Sequence, residues 1–231
     1  MDTESTRRPR TEPLLVTLAI IAPSVVPAGA SLGGTPPGAA SWLAGGAVQS
    51  LSQFALLIVI IGASGRLREY GVGRPRAADA LKAMPLFAAV LILSRVATMM
   101  AAATGWAAGG APGVAAIAIP SITGMSPAAV AALTALFSIA VAYREELFYR
   151  LYVIGSLRER GAGTIAAILV STTLFAAGHA YQGLPGILSS LLVGAAMAAA
   201  ATGGFGLHAL SAAHAAYDFC VLSAAFGLFG G

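Results

Sequence analysis

Seven stretches of this chain are long and apolar enough to be membrane-spanning helices, and nothing else in the sequence constrains the fold as strongly. They run over residues 13–32, 44–63, 80–103, 127–154, 162–181, 184–201 and 205–229. About 20 predominantly apolar residues are needed to cross the hydrocarbon core as a helix, and the Gly and Pro residues inside these stretches are tolerated there. Charged residues make up only 10% of the 231, against about 25% in a water-soluble domain. So few charges cannot cover a water-facing surface, and a mean hydropathy of +0.84 points to lipid as the solvent. The expected fold is all-α: a polytopic transmembrane helix bundle of seven spans, or eight if the Gly- and Pro-rich stretch 104–126 holds a short re-entrant piece.

The net charge of +4 reads as a topology signal. Arg7, Arg8 and Arg10 precede the first span, Arg66, Arg68, Arg74, Arg76 and Lys82 gather around the second loop, and Arg158 and Arg160 lie between spans four and five. The alternate loops, 33–43 and 104–126, carry no charge. This alternation places the N terminus in the cytoplasm, with residues 1–12 as a cytoplasmic tail. A signal peptide is the rival reading of the first stretch, because three arginines precede an apolar run that ends near Ala28-Gly29-Ala30; the run's length and prolines favour a retained helix. No basic patch is interleaved with aromatics, so nucleic acid is not an expected partner. The single Cys220 excludes an internal disulfide and reads as a small apolar helix residue. Trp42 and Trp106 fit an aromatic belt.

The ionisable groups inside the spans locate the function. A charge at the centre of a spanning helix costs about 2.5–3.5 kcal/mol on insertion scales, and such residues face a partner or a water-filled cavity. Span four holds Arg144, Glu145, Glu146 and Arg150, span five ends near His179, and span seven holds His208, His214 and Asp218. Spans two and six hold no charge, and span three holds Arg95. A polar cavity between spans four, five and seven is therefore expected. Glu146 and Arg150 are four apart and share a helix face, whereas Glu145 points about 100° away. One carboxylate is then neutralised by an arginine while the other faces the cavity. Phe175 and His179, and His214 and Asp218, are likewise four apart.

Such a set suits the activation of water: a buried glutamate as base, a histidine positioning the same water, and further donors for the oxyanion. Glu145, His179 and His214 are alternatively a set that holds zinc with an open position, although no His-Glu-x-x-His segment is present. There is also no Gly-x-Ser-x-Gly and no phosphate-binding glycine loop.

Glu145-Glu146-Leu147-Phe148-Tyr149-Arg150 resembles the Glu-Glu-x-x-x-Arg motif of the CAAX protease and bacteriocin-processing (CPBP) family, also known through the type II CAAX prenyl endopeptidase and the ABI family. Phe175-Ala176-Ala177-Gly178-His179 resembles its Phe-x-x-x-His motif, and His214-Ala215-Ala216-Tyr217-Asp218 its His-x-x-x-Asn/Asp motif. The resemblance implies a catalytic transmembrane core over 126–231, variable helices over 13–125, and an intramembrane glutamic endopeptidase. It implies Glu145 as the base, His179 as the group that positions and polarises the water, and His214 and Asp218 at the scissile carbonyl. Glu146 and Arg150 become the pair that supports the site. The sequence departs from the pattern at Asp218, which stands where the prenyl endopeptidase branch has Asn: an ionised aspartate cannot donate to an oxyanion, so it is either protonated or serves to orient His214 instead. Leu151 follows the motif arginine where many relatives have a small residue, a difference of packing.

The expected reaction is hydrolysis of a peptide bond in a membrane-associated peptide or lipoprotein, by a protein of the bacterial cytoplasmic (inner) membrane with no cofactor. The rivals are a zinc-dependent intramembrane metalloprotease, a proton-coupled transporter and a non-catalytic immunity or scaffold protein. Against the transporter stands the absence of a matching polar set in the N-terminal half, since transporters often show two related halves. The bland reading makes Glu145 and Glu146 structural partners of Arg144 and Arg150. His208, six residues from His214 and on another face, reads as an interfacial or packing histidine, and Arg95 as a snorkelling or paired charge.

Overall fold

The structure, a computed structural model, describes residues 12–25, 38–104 and 120–229. Among these residues every regular element is helical: α1 (Glu12–Val25), α2 (Ala39–Ala63), α3 (Ala77–Ala103), α4 (Pro127–Glu145), a π-helical segment (Glu146–Val153), α5 (Ile154–Glu159), α6 (Thr164–Gly178), a 3-10 turn (Ala180–Gln182), α7 (Gly183–Thr202) and α8 (Leu207–Ala225). α4, the π segment and α5 follow one another without a break, so seven rods are described.

Four helical stretches are both long and apolar enough to cross a membrane: Ala39–Ala63, Ala77–Ala103, Pro127–Glu159 and Ala180–Thr202. They mark an integral membrane protein. The other three rods fall at the positions of the remaining expected spans but differ from them. α1 is described over 14 residues, with the rest of the first expected span (26–32) lying outside the described residues, and α6 has 15. α8 has 19 residues, and its two histidines and Asp218 lower its hydropathy. The re-entrant piece and Trp106 fall largely or wholly outside the described residues.

Local chemistry sets the rod ends. Ser126 caps α4 by accepting from the Ala129 N–H at 3.2 Å, with Pro127 at the first helical position, where its missing N–H costs nothing. Asp79 accepts from the Arg76 N–H at 2.8 Å and closes the start of α3. Gly161 (φ 88°) turns the chain between α5 and α6, and Gly183 (φ 72°) reverses it from the 3-10 turn into α7; both lie in the left-handed region that glycine enters without a Cβ penalty.

Small residues set the close approaches, as expected where lipid supplies no hydrophobic drive between helices. α2 lies along α4, α4 along α8, α3 along α7 and α8, and α6 along α7. A Cβ on Gly46 would stand 2.5 Å from the Phe137 ring, so α2 and α4 meet through that glycine. α1 seats Val16 and Ile20 against Leu57, Ile61 and the π segment, and the Gln53 side chain donates to the Ile20 carbonyl at 3.2 Å. Trp42 stacks on Phe137 at 5.0 Å.

Two features of this bundle position the site. Glu145 lies fourteen positions before the end of α5, and His179 fifteen after the start of α6. At about 1.5 Å per residue both stand roughly 20 Å from their shared loop, which brings the long rod and α6 into register at the polar residues. The second feature is the π segment, whose wider turn re-aims the side chains from Glu146 onward. Such segments are rare and occur often at functional sites.

Candidate functional site

The long rod carries four ionisable groups at its change from α to π geometry, and all are buried: Arg144 8% exposed, Glu145 6%, Glu146 0% and Arg150 1%. Buried charges of this kind persist only with partners. Arg144 Nη2 reaches Glu145 Oε1 at 2.5 Å. Arg150 Nε lies 3.4 Å from Glu146 Oε2, the pairing expected from the four-residue spacing. Arg150 also sits over the Phe175 ring at 4.2 Å and near that of Tyr149 at 5.7 Å, a cation–π arrangement that replaces part of its lost hydration.

α8 closes the cluster. His214 Nδ1 lies 2.7 Å from Glu146 Oε1, and since a carboxylate only accepts, the ring nitrogen donates. His214 Nε2 is then directed at two other carboxylates, Glu145 Oε2 at 3.7 Å and Asp218 Oδ2 at 3.5 Å. Asp218 is thus placed to orient His214. Glu145 Oε1 is taken by Arg144, while Oε2 is buried and has no hydrogen-bond donor from the protein.

His179 is delivered by the end of α6. The helix stops at Gly178, and His179 occupies its C-cap, where its Nδ1 donates to the Phe175 carbonyl at 2.8 Å. That bond fixes the tautomer and leaves Nε2 as the acceptor. The Phe175 ring lies 4.5 Å from the His179 ring and 6.2 Å from that of His214, so it forms a wall shared by Arg150 and both histidines. Ser171 anchors α6 to the π segment by donating to the Tyr149 carbonyl at 2.7 Å.

The structure therefore gathers Glu145, Glu146, Arg150, His214 and Asp218 into one network, with His179 joined to it through Phe175. It modifies one expectation: Glu145 is not a lone carboxylate, because Arg144 compensates it. Arg144 stood in the sequence only as the partner in the structural reading, since neighbours in a helix point about 100° apart; a long flexible side chain bridges that angle. His208 lies away from the network, as expected. Its Nδ1 meets the Tyr143 hydroxyl at 2.9 Å and its Nε2 the Gly73 carbonyl at 2.8 Å, fastening the α2–α3 loop. Arg95 is exposed, and Leu151 packs between two apolar clusters.

As a metal site the residues fit poorly: among the described residues no three His, Cys, Asp or Glu side chains converge as ligands.

Residues 127–220 match the family described as type II CAAX prenyl endopeptidase Rce1-like, and every residue of the network falls within them. No curated protein and no solved structure matches the chain significantly.

Proposed function

We propose, for a membrane protein whose residues 127–220 match the Rce1-like CAAX protease family, an intramembrane endopeptidase that cleaves a membrane-associated or lipid-anchored peptide by glutamate-activated water. The observation that carries this reading is Glu145 Oε2, buried, without a protein donor, and 3.7 Å from His214 Nε2. A water held by Glu145 Oε2 and the free Nε2 of His179 gives its proton to Glu145 as its oxygen attacks the scissile carbonyl carbon. The carbonyl π pair moves onto oxygen. On collapse the C–N bond breaks, and Glu145 returns the proton to the amine nitrogen. Arg144 compensates the ionised base, and the Glu146–Arg150 pair fixes His214 through Nδ1.

The test is cleavage of a membrane-anchored reporter peptide library by the purified, reconstituted protein. Glu145→Gln should lower the rate by about 10²–10⁴-fold, the usual worth of a general base, and EDTA should leave wild-type cleavage intact. Cleavage lost in EDTA and restored by zinc would transfer the reading to a metalloprotease. Glu145→Gln cleaving as fast as wild type would overturn it.

A further inference from the structure

Hydrolysis of a peptide bond builds negative charge on the carbonyl oxygen, and an uncharged or cationic donor must meet it. The network's donors without a hydrogen bond, Arg144 Nε and the three Arg150 nitrogens, are all buried. Arg144 Nη2 is bound to Glu145, Arg150 is sealed under Phe175, and Asp218 presents a carboxylate to His214.

Tyr149 supplies what these groups do not. It lies four residues after Glu145, within about 40° of the same helix face, in the π segment that carries the site. It is 3% exposed, and its ring is held edge-on to Phe175 at 5.3 Å. The structure gives its backbone carbonyl a partner, Ser171, but gives its phenol no hydrogen bond. The phenol is also aimed with little freedom: a Cβ on Gly178 would stand 3.2 Å from Tyr149 Oη. Gly178 is the residue before His179, so the phenol passes beside the end of α6 where His179 turns into the site. A glycine at that position leaves room for the hydroxyl, and a side chain there crowds it.

We infer that Tyr149 is a further catalytic residue, its phenol donating a hydrogen bond to the oxyanion of the tetrahedral intermediate. The inference rests on the hydrolytic reading above. The phenol keeps its proton throughout; it releases the hydrogen bond when the C–N bond breaks and the carbonyl re-forms.

The experiment compares wild type, Glu145→Gln, Tyr149→Phe and Gly178→Ala on one membrane-anchored reporter peptide, with kcat, KM and thermal stability measured for each. Tyr149→Phe keeps the ring and its contact with Phe175. It should lower kcat by about 10²–10³-fold, the loss seen when one oxyanion donor is removed, with KM and stability close to wild type. Gly178→Ala pushes the phenol a few tenths of an ångström and should lower kcat less, again without a matching change in KM. If Tyr149→Phe keeps wild-type kcat while Glu145→Gln is inactive, the hydrolytic reading stands and Tyr149 is a packing residue. A fall in Tyr149→Phe that follows lost stability or raised KM likewise overturns the donor role. If wild type shows no Glu145-dependent cleavage, the hydrolytic reading and this inference fall together.

Discussion

The two halves of the bundle use the same small, apolar helix surfaces but bury different groups. Among the described residues of α1 to α3, the buried polar side chains are Ser50 and Gln53, and Gln53 is satisfied by the Ile20 carbonyl. The C-terminal half buries Arg144, Glu145, Glu146, Arg150 and His214. The N-terminal half is thus a frame held by close packing. The C-terminal half carries charge that lipid would not otherwise accept, and each of those charges depends on the others. A change in the frame should cost stability and leave chemistry alone, whereas a change in the network should affect both.

The largest effect should come from breaking the most deeply buried pair. Arg150→Ala leaves Glu146 charged, buried and without its arginine, a loss of about 3–5 kcal/mol when one partner of such a pair is removed. Thermal unfolding in detergent reads it directly. The double variant Glu146→Leu with Arg150→Met sharpens the result, because an apolar pair of similar volume is often neutral for stability. It should recover most of the lost stability and none of the hydrolysis, since His214 no longer has a carboxylate on Nδ1. A double variant as unstable as Arg150→Ala would mean that the pair holds the fold rather than the site.

The frame should give way next. Gly46→Ala places a methyl group against the Phe137 ring, where the unshifted separation would be 2.5 Å. Phe137 is itself stacked on Trp42 and has little room to retreat. Overpacking of this kind costs about 1–3 kcal/mol. The comparison predicts a lower melting temperature with kcat unchanged; a parallel loss of kcat would show that α2 and α4 transmit their spacing to Glu145.

Phe175→Leu tests the join between His179 and the rest. It removes the ring beneath Arg150, a desolvated cation–π contact of about 1–2 kcal/mol, and the wall shared by both histidines. Unlike Gly46→Ala it should lower kcat as well as stability. An unchanged kcat would detach His179 from the network.

These regions were unequally legible in the sequence. The all-helical bundle followed from apolar run lengths, and the Glu146–Arg150 and His214–Asp218 pairs from four-residue spacing, because each is a property of one helix. The convergence of spans four and seven was expected from the placement of charge, and the contact of His214 with Glu146 realises it. What the spacing could not give depends on departures from a regular α-helix. Glu146–Val153 has neither Gly nor Pro to flag a π segment, and the run 162–181 has no charged residue or proline before His179 to show where α6 ends. Tyr149 looked like one more aromatic residue of an apolar span, and only its approach to Gly178 distinguishes it. Hydropathy also treated α8 as an ordinary span, although its site residues dilute the apolar character that defines one.

The smallest effect should come from charges at the surface. Arg66, in the loop after α2, pairs with Glu69 at 2.5 Å and with Glu159 at the end of α5 at 2.6 Å, while Tyr70 donates to Glu159 at 3.0 Å. This latch ties the frame to the rod that carries the site, and it uses the same residue types as the buried network. Its three charged side chains are 29–62% exposed, however, and solvent-screened pairs contribute about 0–1 kcal/mol. The Glu159 carboxylate raises the Arg66 pKa above its ordinary value. A raised folded-state pKa gives stability that is fully present below the unfolded value and is lost only above it. Arg66 itself therefore adds no pH dependence in the neutral range. Arg66→Gln should lower the melting temperature slightly at low ionic strength, and the difference should fade at high salt as the Debye length shortens. A salt-insensitive loss as large as that of Arg150→Ala would place the latch among the buried charges and erase the distinction between the two regions.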